Sequence, residues 1–270
     1  MKAFAQHFAF EFRTGIRNKQ LLLMNYLFPL GFYLMMGFVM AEINPLFRED
    51  IVPAMVIFAI LAATFLGIPE PLVNARENGI FRSYKINGVP SGSILIIPAL
   101  TTLVHLAIVS TIITATAPLL FNAPLPVNWL NFVCVFLAAA VACAGLSVLI
   151  GVIASSSRMV ILWSQLVFIP SMLIGGLMFP YTMLPDVAGK VAQLLPATHA
   201  MNAFNGWAMG KEAAFASGGS VMVLATAGLI AFLLAVFLFN WDSRNTTRRG
   251  HPALGLLALL PYLAGIFLLA

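Results

Sequence analysis

Apolar residues in this chain fall into seven long blocks, residues 21–41, 51–69, 94–120, 129–154, 159–179, 221–241 and 253–270, joined by short polar segments. A helix needs about 20 apolar residues to cross a hydrocarbon core of roughly 30 Å, and the blocks come close to that length. They predict an all-α polytopic membrane protein. The last block is 18 residues long and is halved by Pro261, so it predicts either a seventh crossing helix or a re-entrant hairpin.

Two further patterns lie outside the blocks. Phe4, Phe8, Phe12 and Ile16 recur every four residues, with Lys2, Arg13, Arg17 and Lys19 elsewhere on the same turns. This is a basic amphipathic helix suited to lying in the headgroup plane; the alternative is a simple charged cap that orients the first span. The second pattern follows the second block. Within residues 70–91, Arg76, Glu77, Arg82 and Lys85 cluster, Ile80, Phe81, Tyr84 and Ile86 supply apolar contacts at near-helical spacing, and Gly79, Gly88 and Pro90 punctuate the ends. A short helix of this kind, protruding from the membrane, is a docking surface.

Composition narrows the class. The chain is 61% hydrophobic and 9% charged, with a mean hydropathy of +0.98, against about 25% charged residues in soluble domains. No sizeable water-soluble domain fits between the spans. The net charge of +5 does not point to nucleic acid, because the cations sort by loop. With the N-terminus in the cytoplasm, Lys2, Arg13, Arg17, Lys19, Arg76, Arg82, Lys85, Arg158, Arg244, Arg248 and Arg249 lie inside, and Arg48, Lys190 and Lys211 outside. An odd number of crossings puts the C-terminus outside. The first block begins at Leu21 and exceeds a signal-peptide core in length, so it is expected to persist as the first span.

Enzymatic chemistry finds little support. The sequence holds no Gly-x-x-x-x-Gly-Lys-Ser/Thr phosphate loop, so the chain is not expected to hydrolyse ATP itself. His7, His105, His199 and His251 are scattered without metal-ligand spacing, and His105 is expected to be a pore-facing or hydrogen-bonded helix residue. Ser110 and the run Ser155–Ser157 lack a nucleophile elbow. Cys134 and Cys143 fall on one predicted helix, too far apart to pair, and read as small packing residues.

Ion-driven carriers place charges at mid-membrane, where each is costly and marks function; these blocks are nearly free of them. Glu70, between Pro69 and Pro71, either ends the second helix at the interface or serves as a gate near the cytoplasmic mouth. Phe28, Phe32, Tyr33, Met35 and Met36 in the first block, with Phe168, Met172 and Met178 in the fifth, suit an adaptable apolar passage, or alternatively face lipid. Ala138, Ala142 and Gly145 have the spacing that lets membrane helices approach closely.

The segment Arg76-Glu77-Asn78-Gly79, followed by Arg82 and by Gly88-Val89-Pro90-Ser91, resembles the Arg-Glu-x-Gly…Pro-Ser segment of membrane subunits of ABC-2 type transporters, the type V exporter class. Residues 2–19 are similar to that family's connecting helix. The stretch 181–201, with Pro185 and Pro196 each opening a short helix, is similar to its extracellular re-entrant pair. The resemblance implies a connecting helix at 1–20 and a six-span transmembrane domain at 21–241 with a coupling helix at about 76–91; the chain continues as a basic linker plus hydrophobic segment at 242–270. That last segment departs from the family, whose members commonly stop after the sixth span.

What the resemblance implies about function is specific. Arg76, Glu77, Gly79, Arg82, Tyr84, Lys85 and Pro90 would couple to an ABC ATPase, with Phe4, Phe8, Phe12, Arg13 and Arg17 on the connecting helix. Phe28, Phe32, Met35, Glu70, Phe168 and Met172 would border the translocation path. The partners implied are two ATPase subunits, which bind ATP and Mg, a second permease chain, identical or related, and membrane lipid; the location is the bacterial inner membrane. A hydrophobic or amphipathic substrate is expected, with export of a polysaccharide or lipid-linked glycan, or a non-ABC carrier or scaffold, as the alternatives.

Overall fold

The computed structural model describes residues 2–43, 47–242 and 250–269. Arg244, Arg248 and Arg249, counted above for orientation, lie outside the described residues, as do the side chains of Lys2, Phe4 and His7. The described residues contain helices and no strand. Among the described residues, six helices are long and apolar enough to cross a membrane: Lys19–Met40, Phe47–Glu77, Ser91–Phe121, Trp129–Ile153, Ser157–Ile174 and Ser217–Leu238. They are called the first to sixth spans. The N-terminal helix, Lys2–Arg17, precedes them, and Asn18 separates the two by accepting hydrogen bonds from the amides of Gln20 and Leu21.

The second span is the central post. Its most apolar 18 residues are 94% buried, against 28% in the first span and 22% in the fifth. The first and fifth therefore offer most of their surface to the surroundings. The fourth and sixth spans pack most closely, and small residues make that approach possible. A Cβ built on Gly228 would sit 2.9 Å from Ala142 Cα, and one on Gly145 would sit 2.7 Å from the Gly228 carbonyl oxygen. Ala142 and Gly145 thus do what their spacing predicts.

Three departures from the sequence reading stand out. The second span runs past residue 69 through a π-helical turn at Ala62–Leu66 and a break at Gly67 and Ile68, continuing as a short helix, Pro69–Glu77. Gly67 is required there, since a Cβ would lie 2.4 Å from the Ala63 carbonyl oxygen. The predicted coupling helix at 76–91 is two pieces: Arg76 and Glu77 close Pro69–Glu77, and Ile80–Ile86 forms a second helix. Gly79 and Gly88, both at φ +71°, make the turns on either side of it. The fifth span ends at Ile174 rather than 179, where Gly175 and Gly176, the latter at φ +92°, break the helix.

Beyond the fifth span, Asp186–Ala192 and Pro196–Ala203 form the expected pair of short helices, with Pro185 capping the first and Pro196 opening the second. The C-terminal block also takes a definite form. Pro252–Leu259 is a 3-10 helix and Leu260–Leu268 an α-helix, Pro261 standing at the change. With rises of about 2.0 and 1.5 Å per residue, these reach roughly 30 Å. The segment runs antiparallel to the sixth span: Gly255 lies beside Leu149 and Ile153 at one end, and Leu269 beside Gly219 at the other. It therefore follows the sixth span as one segment rather than folding back as a hairpin.

Alternation of the spans gives the molecule two ends. One carries the N-terminal helix, residues 78–90 and the end of the sixth span; it is called the elbow end. The opposite end carries the paired short helices.

Candidate functional site

The elbow is built from Pro69–Glu77 and Ile80–Ile86, and each of its side chains ties it to a different part of the bundle. Arg76 is buried, 8% exposed. Its Nη1 donates to the Val152 carbonyl oxygen at 2.7 Å and its Nη2 to that of Ala154. These carbonyls end the fourth span, where the last helical oxygens lack intrahelical donors and the helix dipole favours a cation. Arg76 is thus a charged cap on a helix some 76 residues away. Asn74 Oδ1 accepts from Ser157 Oγ at 3.0 Å, fastening the start of the fifth span.

The second half of the elbow holds the sixth span. Phe81 is buried against Phe239, ring centroids 5.4 Å apart, and Phe239 packs edge-on against Trp241 at 5.1 Å. Arg82 Nη2 lies 2.6 Å from Asp242 Oδ2, and this partner holds the guanidinium pKa above its ordinary value. Tyr84 is half-buried; burial first, and then the Glu11 carboxylate, raise its phenol pKa. Both causes disfavour phenolate, so the hydroxyl stays protonated.

Glu77 and Lys85 remain exposed, and Ile86, 85% exposed, is the barest large apolar side chain of the elbow. Pro90, in extended conformation, precedes the third span. Of the seven predicted coupling residues, Glu77, Gly79 and Lys85 stand at the open tip. Arg76, Arg82 and Tyr84 turn instead to the fourth span, the sixth span and the N-terminal helix.

The N-terminal helix lies across the third span. Phe12 stacks on His105 at 4.9 Å with rings 3° from parallel, Phe8 follows at 6.3 Å from Phe12, and Gly15 lies beside the imidazole. His105 Nδ1 shares a hydrogen bond with the Tyr26 hydroxyl at 2.7 Å. His105 is therefore hydrogen-bonded, as expected. Arg13 and Arg17 are exposed. His105 lies 14 residues into the third span, about 20 Å along it at 1.5 Å per residue, while Glu11 of the same N-terminal helix stands against Tyr84 of the elbow.

Among the predicted path residues, Phe28, Phe32 and Phe168 converge on Phe58 of the second span, at centroid distances of 5.4, 4.0 and 6.0 Å. Met172 is half-buried against the same core, whereas Met35 is exposed. Glu70 accepts from Gln20 Nε2 at 3.2 Å, at the joint between N-terminal helix and first span. Sequence reasoning missed Phe58, Asn74, Phe239 and Asp242. Asp242 alone had a legible signal, as an acid directly after an apolar block.

At the opposite end, Lys211 Nζ lies 2.8 Å from Asp50 Oδ1 and 3.6 Å from Glu49 Oε2. The short helices are bonded locally: Asn202 Nδ2 donates to the Phe215 carbonyl oxygen and to Ser220 Oγ, Gln193 Nε2 to the Tyr181 hydroxyl, and His199 Nε2 pairs with the Gln193 carbonyl oxygen.

Apolar crossing helices, an amphipathic helix laid across one end, a polar elbow braced against the spans and paired short helices at the other end define an integral-membrane transport domain. Residues 3–207 match the model of the ABC-2 type transporter family, and the chain belongs to that family. It is accordingly a permease subunit of an ABC transporter, a transport component rather than a catalytic one. No curated protein and no solved structure matches the chain. Residues 208–270, including the sixth span and the C-terminal segment, lie beyond the family match.

Proposed function

We propose that the chain is the membrane subunit of an ATP-driven exporter that moves a hydrophobic or amphipathic molecule outward. It acts as one of two permease chains beside two ATPase subunits, which bind ATP and Mg. The N-terminus and the elbow end face the cytoplasm of a bacterial inner membrane; Arg13, Arg17, Lys19, Arg76, Arg82, Lys85 and Arg158 at that end, against Arg48, Lys190 and Lys211 at the other, support this orientation.

The observation that carries the reading is the wiring of the elbow. Its tip is bare at Glu77, Lys85 and Ile86, while its inner face is bonded to the fourth, fifth and sixth spans. A push on the tip by a closing ATPase dimer would reach three spans at once. The first, second and fifth spans, joined through Phe32, Phe58 and Phe168, would border the path.

Affinity purification of the tagged chain from mild detergent, with partner identification and an ATP hydrolysis assay, tests this. A stoichiometric Walker-motif ATPase is expected, and Glu77→Ala should abolish transport while leaving insertion and abundance intact. Unchanged export by Glu77→Ala would remove that residue from coupling, and an ion-gradient requirement without ATP would overturn the reading.

A further inference from the structure

The N-terminal helix carries its charges on two opposite flanks. Phe12 stacks on His105 and so points at the third span. At about 100° per residue, Glu11 and Arg13, one position to either side of Phe12, stand on opposite flanks of the helix. The Glu11 carboxylate is near enough to Tyr84 to raise its phenol pKa, which sets that flank toward the elbow. Arg17, four positions beyond Arg13, shares the other flank. Both arginines are exposed, and so is Lys19 at the start of the first span.

The depth of this flank follows from the chain. Asn18 alone separates the helix from the first span, Lys19–Met40, so the helix lies at the level where the apolar crossing begins. The elbow is the polar end of the bundle, and the flank turned away from it is the one turned to the bilayer. Ile16, which falls between Phe12 and Arg13 around the helix and is 46% exposed, gives that flank an apolar edge. Arginines beside such an edge reach the headgroup phosphates by extending their long stems.

The cations on this flank have no protein counter-charge. Among the described residues, none of Arg13, Arg17 and Lys19 forms an ion pair. Glu11 is the one acid of the helix and faces the other way, and Glu70, at the joint with the first span, accepts from Gln20. Two guanidinium groups four residues apart suit the planar, two-point recognition of phosphate oxygens. A zwitterionic headgroup would bring an ammonium of its own to a flank that already holds three cations. A phosphodiester headgroup without one brings only the complementary charge.

We propose that Arg13 and Arg17, with Lys19, form a docking site for the phosphodiester of an acidic phospholipid in the leaflet beside the N-terminal helix. The site goes beyond the export reading and does not depend on it.

The full chain, without ATPase, is placed in nanodiscs of mixed phosphatidylcholine and phosphatidylglycerol. One lipid or the other carries a photoreactive diazirine at the glycerol end of a chain, and labelled peptides are mapped by mass spectrometry. The phosphatidylglycerol probe should label peptides within residues 9–24 about ten-fold more than the phosphatidylcholine probe, because cations at the interface draw anionic lipid. Excess inorganic phosphate should not compete. Combined Arg13→Gln and Arg17→Gln should bring the two probes level, combined Arg13→Lys and Arg17→Lys should keep part of the preference, and combined Arg158→Gln and Lys190→Gln, an equal loss of charge elsewhere, should keep all of it. Equal labelling of the wild-type helix by both lipids would overturn the proposal and leave the arginines to a protein partner. An unchanged preference in the double glutamine variant would overturn it too.

Discussion

The two ends of the molecule are held together in different ways. At the elbow end, the polar contacts join elements distant in sequence: Arg76 to residues 152 and 154, Asn74 to Ser157, Arg82 to Asp242. At the opposite end most polar contacts stay within one stretch, as in Gln193 with Tyr181, His199 with Gln193, and Asn202 with Phe215. The contacts that reach further there are those of Lys211 with Asp50 and of residues 127–131 with the carbonyls of Trp207 and Ala208. The difference has a mechanical meaning. A region cross-linked between spans moves as a unit, whereas one satisfied locally can shift against its neighbours at the loss of a few bonds. Under the proposed function, the elbow end would transmit displacement and the opposite end would yield to it.

The largest effect is expected from Arg76→Ala, which leaves two helix-terminal carbonyls without their charged donor; hydrogen bonds to charged groups contribute about 1.5–3 kcal/mol each. Thermal unfolding of the purified chain should shift downward by several degrees and export should fall below detection, with Arg76→Lys recovering part of both. An unshifted midpoint would break the claim that the elbow is bonded into the bundle.

Next comes Ile86→Asp. The exposed tip carries no packing role, so abundance and melting should match wild type while recovery of the ATPase drops at least ten-fold. Equal recovery would move the docking surface away from the tip.

Lys211→Ala sharpens the other side of the comparison. The pair with Asp50 is partly exposed, 26% and 32%, and contributes on the order of 1 kcal/mol or less. Stability should barely change, but maleimide labelling of a cysteine placed at Ala214 should speed up several-fold; Arg76→Ala should leave that rate alone. The smallest effect is expected from Arg82→Ala, whose ion pair is solvent-screened: no measurable shift in melting, and a reduced export rate.

Much of this was legible in the sequence, and the residues show where legibility ended. The spans follow from apolar length alone, and Gly79, Gly88, Pro185 and Pro196 announced their turns because each restricts the backbone locally. The facing of Arg76 was not legible. It depends on where a helix end 76 residues later comes to rest, and no local pattern encodes that. The π-helical turns at Leu23–Leu27 and Ala62–Leu66 were equally hidden, since apolar blocks read the same with or without one extra residue per turn. The C-terminal block fell at the length limit, and its 3-10 half, whose greater rise per residue lengthens the segment, was not legible either.

The central claim is that the elbow tip receives the ATPase. Lys85 stands exposed on that tip beside Ile86, so a lysine-reactive cross-linker applied to membranes holding the native complex reads the contact directly. The account predicts a Lys85 cross-link to a Walker-motif polypeptide, lost in Ile86→Asp. Cross-links from Lys85 confined to its own chain, in membranes where the ATPase is present and cross-links elsewhere, would contradict it.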